Sequence, residues 1–372
     1  MKPWQRTGLV LLLALGALSV GPAAQKNQPP APAPATQKPP LDAAAIAERK
    51  REAERRRLFR SEDPLPITLT ADFKAVMKDR NPKSVATFPA TISFAANDGK
   101  PVSMPLKIRT RGHSRRNPVT CSFAPLRLEF DKALAKGTVF DGQGALKLGT
   151  HCRKGTEEVI LREYAMYKMY NLLTPKSFRA RIAKVKYLDS VTDKLVAEED
   201  GLFIEDDDDV AKRLEGRIVS LDSAVFARVD LDTLTLMMLF EFMIGNTDFS
   251  VVLQHNVVLV QTQDIRRFTV PYDFDYSGLA ESGYAAVGRG LPITSVYDRL
   301  YRGPCRTAAE WQPYLDKMKT AKPELLGVLD AVTLGSSYRR GAKSYLEGFY
   351  KVIESPFNTK RDLIEKCVKV GI

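Results

Sequence analysis

The chain is short of the residues that most metal and nucleophile chemistries require. It has three histidines, His113, His151 and His255, too scattered to support a His-rich metal site. Its four cysteines, Cys121, Cys152, Cys305 and Cys367, include no CxxC pair and no metal-ligand spacing. No zinc signature, no Ser-His-Asp order and no Rossmann fingerprint is present, and no glycine-rich GxGxxG loop occurs. Acid is also in deficit. Fifty-six Lys and Arg face forty-four Asp and Glu, a formal net charge of +12. That balance suits an acidic or phosphorylated partner or an anionic surface, without choosing among them.

What is present at the start reads as a secretory signal. Lys2 and Arg6 form a positive n-region, Gly8 to Val20 is apolar, and the small residues Gly21, Ala23 and Ala24 suit signal peptidase. The apolar run is short for spanning a bilayer, which takes roughly 20 residues, so a cleaved signal is the first reading and an uncleaved N-terminal anchor the alternative. No cysteine near the cleavage region offers a lipoprotein anchor. Residues 1–24 are therefore expected to be removed, leaving a mature chain of about +10, exported to a periplasmic or secreted location with no stable membrane insertion. Export permits disulfides, and pairing within each half is expected, Cys121 with Cys152 and Cys305 with Cys367. Nucleic-acid binding has only charge in its favour.

Residues 25–60 read as a linker: a Pro/Ala-rich tether (QPPAPAPATQKPP) and then a solvated charged helix, AAAIAERKREAERRRLFR. A β-rich segment, 61–205, should follow. Within it Leu106, Ile108 and Thr110 share one strand face while Lys107, Arg109 and Arg111 share the other. Arg127 and Lys147 stand opposite apolar neighbours in the same way. These cations form either a solvated face or a cleft wall that neutralises phosphates. A helix from about Glu157 to Leu173, capped by Thr156 and stopped by Pro175, carries Glu163 inside its apolar stripe. An inward carboxylate requires a partner, and Lys147 is the first choice; at the stripe's edge, Glu163 would instead reach solvent. The acidic run Asp206–Asp209 reads as an exposed loop. Residues 206–372 should be mainly helical, with Leu231–Ile244 a core helix that Gly245 caps.

The chemistry concentrates after that helix. Asp248 lies in a loop, Asn256 opens the strand VVLV, and the next strand ends in PYDFD with Asp273 and Asp275. A β-hairpin brings the start of its first strand beside the end of its second, so these four side chains should converge. Three carboxylates and a carboxamide suit a hard cation such as Mg²⁺ or Mn²⁺. Asn256, Asp273 and Asp275 are the expected metal ligands, although the choice between the two aspartates stays open. Asp248 is then free to accept a proton from a hydroxyl; because the gap from Asp248 to Asn256 is long, Asn246 or His255 is an alternative to Asn256. Lys147, Glu163, Arg111 and Arg127 are the expected grip on the nucleotide phosphates. The order of strand Lys, helix Glu, Asp loop, hairpin and Asp-x-Asp is the division of labour of phosphoryl transfer.

RTRGHSRR followed by PLRLEF, and GNTDFSVVLQHNVVLV with VPYDFDYSG, resemble the blocks of the spore-coat protein H (CotH) kinase family. The resemblance spans roughly residues 65–300. It implies an α+β, two-lobed atypical protein-kinase-like fold, with a β-rich N-lobe, a mainly helical C-lobe and a catalytic β-hairpin. It also implies ATP as donor, Mg²⁺, and transfer to Ser or Thr of a protein substrate. The alternative is a catalytically inert module that binds an envelope partner. A third reading is a metal-dependent hydrolase using the same carboxylates.

Overall fold

The chain was analysed as a computed structural model that describes residues 42–96, 98–221 and 226–369. The expected signal peptide (1–24) and the Pro/Ala-rich stretch 25–41 lie outside the described residues.

The first part of the fold runs α1 (Ala43–Glu54), β1 (Leu65–Ala71), α2 (Phe73–Lys78), β2 (Phe88–Ala95), β3 (Pro101–Thr110), β4 (Leu126–Phe130), α3 (Lys132–Ala135), β5 (Ala145–Gly149), α4 (Val159–Leu173), β6 (Ala180–Asp189) and β7 (Leu195–Ile204). The seven strands alternate apolar and polar residues, so one face can be buried and the other left for other contacts. Leu69, Ile92, Ile108, Leu128, Leu146, Val185 and Phe203 fill the inside and are fully buried. The strands close into a barrel in the order β1-β2-β3-β4-β5-β7-β6. Six of the seams are antiparallel; β6 seals the barrel by pairing parallel to β1, Leu65 opposite Ala183 through Ala71 opposite Asp189.

This closure overturns the two-lobed, atypical protein-kinase-like fold expected above. The β-rich character of 61–205 was legible, but pairing β1 with β6 uses both remaining edges and turns the sheet into a closed mixed barrel. Local alternation carries no information about that long-range seam.

The second part runs α5 (Asp207–Arg213), β8 (Gly216–Val219), α6 (Leu231–Ile244), β9 (Val257–Thr262), β10 (Arg267–Pro271), α7 (Ala308–Ala331), α8 (Ser336–Ile353) and α9 (Pro356–Thr359). A separate antiparallel sheet has the order β10-β9-β8. Helix α6 is apolar all round and almost wholly buried, as a central core helix should be. Asp230 caps its start by accepting the Thr233 N–H at 2.8 Å, and Gly245 ends it with φ +67°. A Cβ there would collide with the Tyr345 hydroxyl, so glycine serves both the left-handed turn and the close approach. Around α6 pack Trp311, Leu346, Phe349 and Tyr350 of α7 and α8.

The charged segment expected to be a solvated linker is docked instead. Leu58 is fully buried, and Arg56 donates to the largely buried Asp209 of α5 at 2.7 Å. Arg179 reaches the Ala53 carbonyl at 2.8 Å, and Arg181 reaches the Leu58 carbonyl at 3.0 Å. Basic composition alone hid this, because the partners lie on distant elements. The same contacts correct the reading of Asp206–Asp209. The run is not an exposed loop but the N-terminal turn of α5, where Asp206 caps the Asp208 N–H at 3.0 Å and the negative charges suit the helix end.

Both disulfides join cysteines within one half, as expected: Cys121–Cys152 and Cys305–Cys367. The second closes a separation of 62 residues. Replacing Cys305 and Cys367 with serine is expected to cost about 3–4 kcal/mol. Urea unfolding with and without the substitutions would read this as a lower midpoint, and an unchanged midpoint would refute it.

Candidate functional site

The β9–β10 hairpin sets the geometry. Val257 pairs with Pro271, and the Tyr272 N–H donates to the Asn256 carbonyl at 3.0 Å. Asn256 thus sits beside the start of the Asp273–Asp275 segment. Asn256 and Asp273 both adopt left-handed backbone conformations, φ +54° and +67°, which non-glycine residues rarely do and which cluster at functional sites.

Asp248 is held from three directions. Its N–H donates to Asn246 Oδ1 at 2.9 Å. Asn256 Nδ2 donates to its backbone carbonyl at 2.7 Å, and the same amide lies 3.4 Å from its Oδ2. His255 Nε2 lies 3.3 Å from its Oδ1, and this hydrogen bond raises the imidazole pKa above its ordinary value. Arg302 braces the loop by donating to the carbonyls of Thr247 and Phe249 at 2.7 and 2.8 Å. The carboxylate itself remains 41% exposed and so open to a substrate.

Deeper in, Asp275 and Glu163 are almost completely buried. Arg115 lies 3.4 Å from Asp275 Oδ2, and the Tyr284 hydroxyl donates to the same oxygen at 2.9 Å. Burial and the nearby Asp273 push the Asp275 carboxyl up to about 7. Burial, then Asp275 and Asp273, push Glu163 well above the usual carboxylate range, against the opposing pull of Arg115 and Arg111. Among the described residues, the buried Glu163 Oε1 has no hydrogen-bond partner. The Tyr167 hydroxyl, on the same helix, accepts the Asp273 N–H at 3.0 Å and ties that turn to α4. Helix α4 begins at Val159, two residues later than expected, because Thr156 turns back to Arg153.

Glu163 does face inward, but Lys147 is not its partner. The Lys147 ammonium pairs with Asp207 at the start of α5 and lies over the rings of Tyr272 and Phe178, at 4.6 and 4.9 Å. Burial lowers its pKa despite Asp207. The acidic run, misread as a loop, supplied the nearer carboxylate. Across the barrel wall the cations stand in register, Arg109 opposite Arg127 and Arg127 opposite Lys147. Like charges side by side are unfavourable, and each has a carboxylate: Arg109 with Glu129 at 3.1 Å, Arg127 with Asp206 at 3.9 Å, Lys147 with Asp207. Among the described residues, the Arg111 side chain has no ion-pair or hydrogen-bond partner, yet its charge is felt by Lys147, Glu163, Tyr167 and Tyr272.

The hairpin therefore gathers Asp248, Asn256, Asp273 and Asp275, and α4 adds Glu163. Arg111 and Arg115 come from the barrel side. Lys147 and Arg127 are committed to α5. Asp207 and Tyr284 were missed. Tyr284 lies in an irregular stretch with no local signal, whereas Asp207 was visible as part of an acidic run facing a basic strand. Among the described residues, no group of three or more His, Cys, Asp or Glu is arranged to hold a metal ion as the side chains stand. The chemistry of the donors nevertheless fits one: oxygen donors, with Asp275 and Glu163 pushed up by burial and neighbouring carboxylates and, among the described residues, an unpartnered buried Glu163 Oε1, match the demand of a hard cation. No family model matches the chain, and no curated protein matches it.

Proposed function

We propose that the protein is an exported phosphotransferase that moves a phosphoryl group from ATP to a Ser or Thr hydroxyl of a protein substrate, with Mg²⁺ or Mn²⁺. The observation that carries the reading is the meeting of the crowded carboxyls Glu163, Asp273 and Asp275 with the unpaired guanidinium of Arg111. Burial and neighbouring carboxylates push Glu163 and Asp275 up, which favours a divalent cation, and a free guanidinium beside them favours a phosphate. Asp273 and Asp275, with Asn256, would hold the cation, which when bound would neutralise charge on the transferring phosphate. Asp248, exposed and anchored, would orient the acceptor hydroxyl and take its proton. The two disulfides suit an oxidising compartment. Among the described residues no helix is long and apolar enough to cross a membrane. The sequence likeness to CotH kinase blocks points the same way.

One observation favours the second reading, an inert module that binds an envelope partner: Arg115 and Tyr284 already share the Asp275 Oδ2. Two measurements separate them. Mg²⁺ with ATP should raise the melting temperature of wild type and fail to do so for Asp273→Asn. Labelled ATP should yield labelled protein with wild type only. Absence of both effects, with Mg²⁺ and with Mn²⁺, would reject the phosphotransferase and leave the binding module.

A further inference from the structure

One end of the barrel, where β1 and β6 finish side by side at Ala71 and Asp189, carries a cleft to which the reading above gives no task. Two local devices shape it. Asp72 caps α2 by accepting the Ala75 N–H at 2.9 Å, which places Phe73, Lys74 and Met77 along the cleft. Asp189 closes the turn toward β7 by accepting the N–H groups of Val191 and Thr192 at 3.2 and 2.9 Å, which places Val191, Lys194 and Val196 there as well. The cleft holds about 710 Å³, inside the roughly 300–1,000 Å³ range of small-molecule sites.

Its inner lining is aromatic. Phe73 and Phe123 are buried, the His151 ring lies 4.5 Å from Phe123, and Tyr187 packs 4.8 Å from Phe123 and 5.5 Å from Phe73. Polar atoms inside this cluster go unserved. Among the described residues, neither ring nitrogen of His151 has a hydrogen-bond partner, and neither does the hydroxyl of the fully buried Tyr187. Burial, and then the charge of Arg115, push the His151 pKa down to about 4. The imidazole is therefore neutral at pH 7 and offers one donor and one acceptor. Unpaired polar groups are costly where apolar side chains would pack equally well, and the His151 ring itself lines the cleft.

The rim has a different character. Val191 and Val196 are 72% and 46% exposed. Lys74 and Lys194 are exposed, and among the described residues neither ammonium has an ion-pair or hydrogen-bond partner. The two carboxylates that also line the cleft, Asp72 and Asp189, are occupied by the backbone N–H groups of α2 and of the turn. The unsatisfied charges of the rim are thus positive, and they stand beside an apolar wall that contains a neutral, unpartnered imidazole.

We propose that this cleft is a binding site for a small amphiphilic anion. An aromatic or branched apolar body packs against Phe73, Phe123 and the two valines, His151 hydrogen-bonds a polar atom of that body, and Lys74 and Lys194 hold the acidic group. The site is independent of the phosphotransferase reading and uses none of its residues.

The probe for the test is 8-anilinonaphthalene-1-sulfonate, an aromatic body that carries a sulfonate. Added to the folded full chain, it should give one saturable rise in fluorescence. The chain has three histidines, so their ring C–H signals in an NMR spectrum locate the probe: the His151 signal should move while those of His113 and His255 stay. Lys74→Glu combined with Lys194→Glu should weaken binding by at least about tenfold, with the melting temperature close to wild type because both side chains are exposed. Lys317→Glu combined with Lys351→Glu makes the same change in net charge at exposed positions outside the cleft and should leave the affinity unchanged. No saturable binding, binding that leaves the His151 signal in place, or an equal response of the two double variants would each overturn the proposal.

Discussion

Asp248→Asn should lower the rate of phosphoryl transfer by about a hundred- to ten-thousandfold while leaving the stabilisation by Mg²⁺ and ATP in place. The amide is isosteric and can still accept from Asn256 Nδ2, which lies 3.4 Å from the present Oδ2. The loop is held mainly through its backbone, by Asn246, Asn256 and Arg302. What disappears is the group that accepts the hydroxyl proton. Initial rates at saturating ATP, measured alongside melting temperatures with and without Mg²⁺–ATP, decide the matter. A variant that keeps the wild-type rate would move the proton acceptor to another residue, and His255 is the neighbour in contact. A variant that loses nucleotide stabilisation as well would mean that Asp248 helps to bind the donor.

The second large effect is on stability. Arg115 is buried beside Asp275, and its charge also offsets Glu163 and Asp273. Arg115→Met removes the cation and leaves those carboxyls uncompensated, a loss of about 3–5 kcal/mol. The pH dependence has a definite sign. A carboxyl whose pKa is raised in the folded protein keeps a proton that the unfolded chain has released, so stability falls as pH rises between the two values. For Asp275 that window runs from near 4 to about 7. The deficit of the variant should be smallest near pH 4 and grow through neutrality. Chemical denaturation at pH 4.5 and 7.5, without divalent cation, would show it. A deficit that shrinks with rising pH would contradict the assignment of charge.

How much of this was legible follows from the range of each interaction. The hairpin residues Asn256, Asp273 and Asp275 met because a short turn fixes the register of β9 on β10, and sequence reasoning can count that register. Glu163 was found because helical periodicity placed it inside an apolar stripe, and it is buried. The partner expected for it was wrong, since Lys147 had a choice between α4 and α5, periodicity ranks no such choice, and Lys147 pairs with Asp207. Asp206–Asp209 looked like a loop because four acids in a row rarely stay helical alone; the cations of the barrel wall and Arg56 make the turn stable. The barrel was invisible for the same reason. Alternating segments showed that 61–205 is β-rich, but the parallel seam between β1 and β6 joins segments that the chain reaches far apart.

That seam has a consequence for how the molecule forms. Contacts between distant segments must await the chain between them and make folding slow. Until β6 docks on β1, both strands offer unpaired backbone groups, and exposed edges of this kind invite pairing between molecules. Once β6 is docked on β1, the barrel has no open edge left.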